Sequence, residues 1–356
     1  MPASRPLCLI TGLDRSGIPS GWQRVGQDRI WPETNRITDL WLGVLPALRL
    51  DPIACLPYTL TVDFLDDQWT QVRPSHDDLY TLYGLEVQTL HLWRPLVEHL
   101  TAQLGAGRLV IVDVPARSLP DGAGGRLHPR RATETIIVNE IDSEGERLGF
   151  FHRTDYRVLV GAEYRRLMYP DPAAADTEAL VGRAEVINLH GMVRRPPDTL
   201  RHLSRQLLDK HLQRVPTRHP LRRWKRHFAK EVTPLLASGP THYQHWAEAG
   251  PHQLGAAFEL AAQYLVWMAG HSSECVHLLQ AADAFRQLSV LARSLLLKGA
   301  RAVESGQPFQ EYDLVDRMVR HWSRGMALLG AGEIVLDTPV LLKAGPAADG
   351  HAPATD

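Results

Sequence analysis

The chain has 356 residues, 44% of them apolar and 22% charged, with a net charge of −1; this is ordinary globular composition, long enough for two domains. A near-neutral balance excludes a global field that recruits nucleic acid or membrane, so any such role falls to a local patch. Three widely spaced cysteines, Cys8, Cys55 and Cys275, exclude a disulfide framework or zinc cluster and favour a reducing, cytoplasmic setting.

The N-terminal string MPASRPLCLITGLDRSG lacks the apolar core of a signal peptide. No run of about 18 apolar residues marks a membrane span. Thr38 to Leu50 places Leu40, Trp41, Val44, Leu45 and Leu48 at helical spacing, which predicts a helix capped by Thr38, with Pro46 as an awkward member. Tyr58 to Phe64 reads as a strand, Ser75 to Tyr83 as a short helix ending at Gly84, and Trp93 to Leu104 as an amphipathic helix. Arg108 to Val114 is a continuous apolar run and predicts a buried strand. A Gly/Pro-rich loop follows at Pro120 to Pro129. Thr135 to Ile141 and Leu148 to His152 flank a polar turn and predict a hairpin. Tyr169 to Thr177 reads as a linker. From about Pro196 onward, helical spacing dominates (Leu200 to Leu212, Leu254 to Met268, Ala282 to Leu297) and predicts a bundle. The expected class is α+β: an α/β half over residues 1–185, a basic helical half over 190–332, and a disordered tail at 345–356.

Between Arg194 and Lys230 there are twelve Lys or Arg against Asp198 and Asp209. Arg201, Arg205, Arg218, Arg222, Arg223, Lys225, Arg226 and Lys230 are the candidates for contact with RNA phosphates; an acidic carrier protein needs the same charges, and a solvated helix face is the plain alternative. No phosphate loop, nucleophile elbow, dinucleotide fingerprint or HExxH string occurs. No metal and no cofactor is therefore expected. Asp63, Asp66 and Asp67 follow a strand; they suit cation binding, proton transfer or simple turn capping.

The strings WPETN (Trp31 to Asn35), DLW (Asp39 to Trp41), DQW (Asp67 to Trp69), LYGLEVQTLHLWRPL (Leu82 to Leu96), LGFFH (Leu148 to His152) and QLGAAFELAAQYL (Gln253 to Leu265) together resemble the bacterial family known as domain of unknown function 1839. The resemblance implies a papain-like N-terminal half, similar to butirosin-type enzymes that move an aminoacyl group from a carrier protein, with kinship to the valanimycin-type transferase that takes a seryl group from seryl-tRNA. In such a site a Cys at a helix N-terminus pairs with a strand His and a polar residue orients the His. This chain departs from that pattern: the nucleophile position carries Arg36, the His position falls near Arg131, and the orienting position falls at Arg153. Arginine stays protonated and forms no acyl intermediate. The expected pocket is an anion site in which Asn35, Arg36, Asp39, Asp67, Gln68, Trp69, Arg131 and Arg153 bind substrate, with His152, Asp63 or Glu33 as proton-handling groups. Three functions stay open from sequence: direct aminoacyl transfer from aminoacyl-tRNA to a small amine, hydroxyl or hydroxylamine; transfer from an aminoacyl carrier protein; or non-catalytic binding of an anionic ligand.

Overall fold

The computed structural model describes residues 6–13, 29–120, 133–169, 183–270, 275–307, 309 and 311–331. The Gly/Pro-rich loop, most of the linker and the C-terminal tail expected from sequence lie outside them, as does Arg131. A seven-stranded antiparallel sheet runs in the order β4 (Glu86–His91), β9 (Arg183–Asn188), β5 (Arg108–Pro115), β6 (Thr133–Asp142), β7 (Arg147–His152) and β8 (Asp155–Val160), with β1 (Leu7–Cys8) on the far end of β6. The hairpin expected from sequence is the β6–β7 pair, which carries a register shift between Val138 and Glu140.

Alternation along the strands sorts two apolar faces. Leu109, Ile111, Ile137, Phe151 and Ile187 join one core, shared with helix α1 (Arg36–Ala47). Val110, Val112, Ile136, Val138, Phe150 and Val186 join another, covered by α3 (Leu96–Gly105) and α4 (Ala162–Met168). The short α2 (His76–Tyr83) forms as expected, with Ser75 as its cap and Gly84 in the left-handed region at φ 66°. Three expectations are corrected. Asn35, not Thr38, caps α1; Pro46 is accommodated because it sits next to the helix end. Pro52–Thr61 is a 3-10 helix rather than the start of a strand, since Pro52 and Pro57 fix φ and remove ladder donors, and the Asp51 carboxylate accepts from the Ile53 amide. The helix expected from Trp93 begins at Leu96, after Pro95.

The C-terminal half consists of α5 (Pro197–Leu212), α6 (Pro220–Ala237), α7 (Pro240–Ala247), a π-helical turn (Glu248–His252), α8 (Gln253–Ala269), α9 (Val276–Ser305) and α10 (Tyr312–Leu328). Its core is continuous with the α1 face of the sheet, so the two halves share one hydrophobic interior. Polar contacts reinforce the seam. Asp78 at the start of α2 accepts from Lys210 Nζ and pairs with His211 Nε2, both at 2.8 Å. Burial pushes the Asp78 carboxyl up, but these two bonds outweigh it and hold the group at about 2. Ser204 Oγ donates to the Ala54 carbonyl at 2.7 Å and Trp267 Nε1 to Asp51 at 2.9 Å.

The segment leading into α1 is held from both sides. Glu259 on α8 accepts from the Ile30 amide (2.6 Å), the Trp31 amide (3.2 Å) and Arg29 Nε (3.2 Å). The Trp31 indole donates to Ser289 Oγ on α9 at 2.8 Å and lies against Gly255, where an added Cβ would fall 2.3 Å from the ring. Gln253 Nε2 donates to the Thr34 carbonyl at 3.0 Å. From the α1 side, both Asp39 oxygens accept from the Thr34 amide, at 3.1 and 2.9 Å, with Arg29 4.0 Å away.

Gly255→Val places a branched side chain where the Trp31 ring lies. A loss of about 1–3 kcal/mol in urea unfolding is expected, with a shifted tryptophan emission. Unchanged stability would mean that Trp31 does not pack there. Asp39 supplies a second test. Burial pushes its carboxyl up to about 6, opposed by Arg29 and the Thr34 amide. The folded state therefore keeps a proton that the unfolded chain releases near pH 4. That contribution to stability is full below about pH 4 and is lost as pH rises through about 6. The stability of the parent minus that of Asp39→Asn should fall between about pH 4 and 6, by on the order of 3 kcal/mol. Urea melts at stepped pH measure it, and a difference that rises over this window would contradict the assignment.

Candidate functional site

The site forms where the N-terminus of α1 meets the start of β6 and the β7–β8 turn. Asn35 is fully engaged as the helix cap: its Oδ1 accepts from the Thr38 amide at 2.9 Å and its Nδ2 donates to the Val72 carbonyl at 3.0 Å. The backbone N–H of Asp39 is also satisfied, by the Asn35 carbonyl at 2.9 Å. Arg36 is the first helical residue, where backbone N–H groups lack intrahelical partners. Its Nη1 donates to the Thr133 carbonyl at 3.2 Å, one residue before Glu134 on β6. Among the described residues it has no carboxylate partner.

Arg153 comes to the same rim from the opposite side. It is the first residue of the two-residue turn between His152 and Asp155, with φ 56°, a left-handed conformation that such hairpin turns demand. The turn rests on α1 at Gly43, where an added Cβ would stand 3.0 Å from the Arg153 carbonyl; a larger residue there would lift the turn. One guanidinium nitrogen of Arg153 bonds Glu33, in the entry segment, and the other lies 4.0 Å from Glu134. The second oxygen of Glu134 lies 3.4 Å from His152 Nε2. The result is a chain of alternating charge, Glu33–Arg153–Glu134–His152, in which both carboxylates flank one guanidinium. The neighbouring Arg36 keeps its charge uncompensated by any described side chain.

Alternation assigns the faces of these groups. His152 stands opposite Ile136 and shares its face with Phe150, the α3/α4 side of the sheet. Glu134, two residues before Ile136, is its diagonal neighbour. Both are buried, at 6% and 7% exposure. His152 therefore does not project from the face against which α1 packs. Its Nδ1 is buried with no hydrogen-bond partner among the described residues. On the α1 face the corresponding positions are Thr135 and Asp113, joined by a 2.6 Å hydrogen bond from Thr135 Oγ1.

Several residues expected in the cleft lie elsewhere. Asp39 is buried beneath the entry segment and ties down Thr34. Asp63 precedes a small hairpin, β2 (Phe64–Leu65) and β3 (Gln68–Trp69), and pairs with Arg223 of α6, which also bonds the Phe64 carbonyl. Trp69 is buried 5.7 Å from the Trp224 ring, while Asp67 and Gln68 are exposed on the hairpin. Asp63 and Trp69 belong to the seam with α6, and Asp67 and Gln68 face outward on the hairpin. Cysteine chemistry is absent from the described rim. Cys8 donates to the Ile10 carbonyl from β1, Cys275 precedes α9, and burial pushes the Cys55 thiol far up.

The basic residues of the C-terminal half divide by partner. Arg201 pairs with Asp198 and lies over Trp267, Arg205 pairs with Asp209, and Arg223 is spent on Asp63. Lys225 pairs with Asp316 at 2.5 Å. Arg218, Arg226 and Lys230 are exposed, and Arg222 is half-buried. Two features escaped the sequence reading. Glu134 is a buried carboxylate at the start of β6, two residues before the apolar run Ile136–Val138, where a charged residue is a visible signal. Arg317, Arg320 and Arg324 recur at helical spacing on α10, outside the dense basic stretch.

No helix among the described residues is long and apolar enough to cross a membrane. No group of three or more metal-ligating side chains occurs among them. No curated protein matches the chain. Two family models do, the DUF1839 N-terminal domain over residues 23–189 and the DUF1839 C-terminal domain over residues 197–331. The join between them falls just before α5, at the change from sheet to helices, and together they take in both the α1 rim and the basic helices. The chain belongs to the DUF1839 family.

Proposed function

We propose that the protein is an aminoacyltransferase that moves an aminoacyl group from aminoacyl-tRNA directly to a small amine, hydroxyl or hydroxylamine, with no acyl-enzyme. The observation that carries this reading is Arg36, a guanidinium without a carboxylate partner among the described residues at the N-terminus of α1, where a covalent papain-like enzyme needs a thiolate. The first-turn amides and Arg36 together form an anion-binding corner. That corner suits the terminal phosphate of the donor or the oxyanion that develops on its ester carbonyl.

An aminoacyl ester is already activated, so orientation and charge stabilisation carry most of the work. The acceptor's lone pair attacks the ester carbonyl; the new bond to carbon forms, the bond from carbon to the ribose oxygen breaks, and the acceptor's proton passes to that oxygen. Glu33 and Glu134, on either side of Arg153, are the nearest carboxylates for this transfer. His152 acts behind Glu134, as a positioning partner. The buried state of His152 favours a second reading, in which the corner binds an anionic ligand without turnover.

The test uses a tRNA pool charged with labelled amino acids and hydroxylamine-type acceptors. Label should move into small molecules, and Arg36→Ala should slow this by about 100-fold or more, the scale of losing one oxyanion donor. His152→Gln should cost less than Arg36→Ala. Failure of every amino acid to transfer would overturn the proposal. A rise in melting temperature with phosphate, without transfer, would establish the non-catalytic reading instead.

A further inference from the structure

A groove of about 490 Å³ opens between α6 and α10. Arg222, Lys225 and Arg226 stand on the α6 wall and Arg320 on the α10 wall, with Ala229 and Val319 between them. Asp316 is the single acidic lining residue, and it is engaged by Lys225. Arg222 and Arg320 make no ion pair with a described residue. Arg317 and Arg324 continue the α10 wall at three- and four-residue spacing, so they share a helix side with Arg320. The local field registers on His321: burial first, then the Arg317, Arg324 and Arg320 charges push its imidazolium down, opposed by Asp283.

Two guanidinium groups facing each other without ion-pair partners among the described residues, Arg222 and Arg320, are costly unless an anion lies between the walls. The geometry narrows its nature. Cations face each other across a groove, on two helices packed side by side. A phosphodiester strand running along the groove presents oxygens to both walls, and arginine forks match them in pairs. An acidic helix from a protein partner displays its carboxylates along one face and serves only one wall well. Alanine and valine between the walls leave room for a backbone to settle without competing acceptors.

We infer that the α6–α10 groove holds the phosphodiester backbone of an RNA, with Arg222 and Arg320 as opposed phosphate contacts. This deepens the transfer reading, on which the RNA's role as donor rests; the binding itself is measured separately from transfer. The basic stretch visible in the sequence supplies only one wall, and several of its members are spent in the seam or on neighbouring acids. The other wall comes from a helix about a hundred residues later.

Fluorescence anisotropy with uncharged bulk tRNA tests the inference. The double variant Arg222→Glu with Arg320→Glu reverses both contacts; position 222 lies in the first turn of α6, where a carboxylate suits the helix. An unchanged thermal melt verifies folding. The double variant should bind tRNA at least tenfold more weakly, and its salt slope should fall by about 2. Arg205→Glu, on α5, should leave binding within twofold. Equal binding by the double variant, or tighter binding of poly-glutamate than of tRNA to the parent protein, would overturn the inference, the latter in favour of an acidic protein partner. Arg36→Ala, which removes one contact at the rim, should weaken tRNA binding less than the double variant does. Intact groove binding without any transfer would thus defeat the transfer reading alone, and transfer whose KM for tRNA is unchanged by the double reversal would defeat the groove alone.

Discussion

Glu259 is a carboxylate on α8 that gathers two backbone amides and one guanidinium from the segment before α1. The position of the candidate site depends on this clamp. A carboxylate with three donors fixes a stretch of chain that has no strand or helix of its own. Trp31 then packs against Gly255, and Asp39 pulls Thr34 down from the other side. With both ends secured, Glu33 projects toward Arg153 and Asn35 closes the first turn of α1. The helical half therefore acts as the mould that sets the mouth of the sheet half. This explains why the two family domains share one apolar interior.

The rim so formed carries a division of charge. Arg153 lies between Glu33 and Glu134 and is locally neutralised, while Arg36 is turned toward a backbone carbonyl and the helix N-terminus. The imbalance leaves net positive character at the N-terminus of α1. A guanidinium at that point offers no acyl-accepting thiol and is suited to holding an anion. The groove between α6 and α10 repeats the theme on a larger scale, with opposed arginines from two packed helices.

Much of the architecture was legible in the sequence, for physical reasons that can be named. Ser75 and Gly84 bracket α2 because a hydroxyl cap and a left-handed stop are local chemistry. The apolar runs of β5 and of the β6–β7 hairpin reveal themselves because both faces of the sheet are buried. Pro52–Thr61 misled because its apolar residues are buried all round, which gives no helical period, while its prolines act through φ alone. The short strands β4, at the edge of the sheet, and β9, beside it, mix polar with apolar residues and leave a weak pattern. At the site, Arg36 and Arg153, both singled out by motifs read along the chain, each meet the start of β6, at Thr133 and Glu134. The sidedness of His152 does not follow from such motifs, because it is set by strand register: one position along β7 separates the α1 face from the α3/α4 face. Asp63 and Trp69 look like site residues in a string but serve a seam that exists only once α6 has folded against them.

The central claim is that position 36 sits at a helix N-terminus beside the start of β6, on the rim that also carries Arg153. Thiol reactivity at that point reports it most directly. In Arg36→Cys, alkylation by iodoacetamide followed against pH should show an ionisation well below that of a free cysteine, near 8.5. The rate at neutral pH should exceed that of Cys8 or Cys275, and the depression should shrink in the Arg36→Cys, Arg153→Ala double variant as one neighbouring cation is removed. A thiol that ionises near 8.5 or above, insensitive to Arg153, would show that the two positions do not share a cleft and would contradict the account.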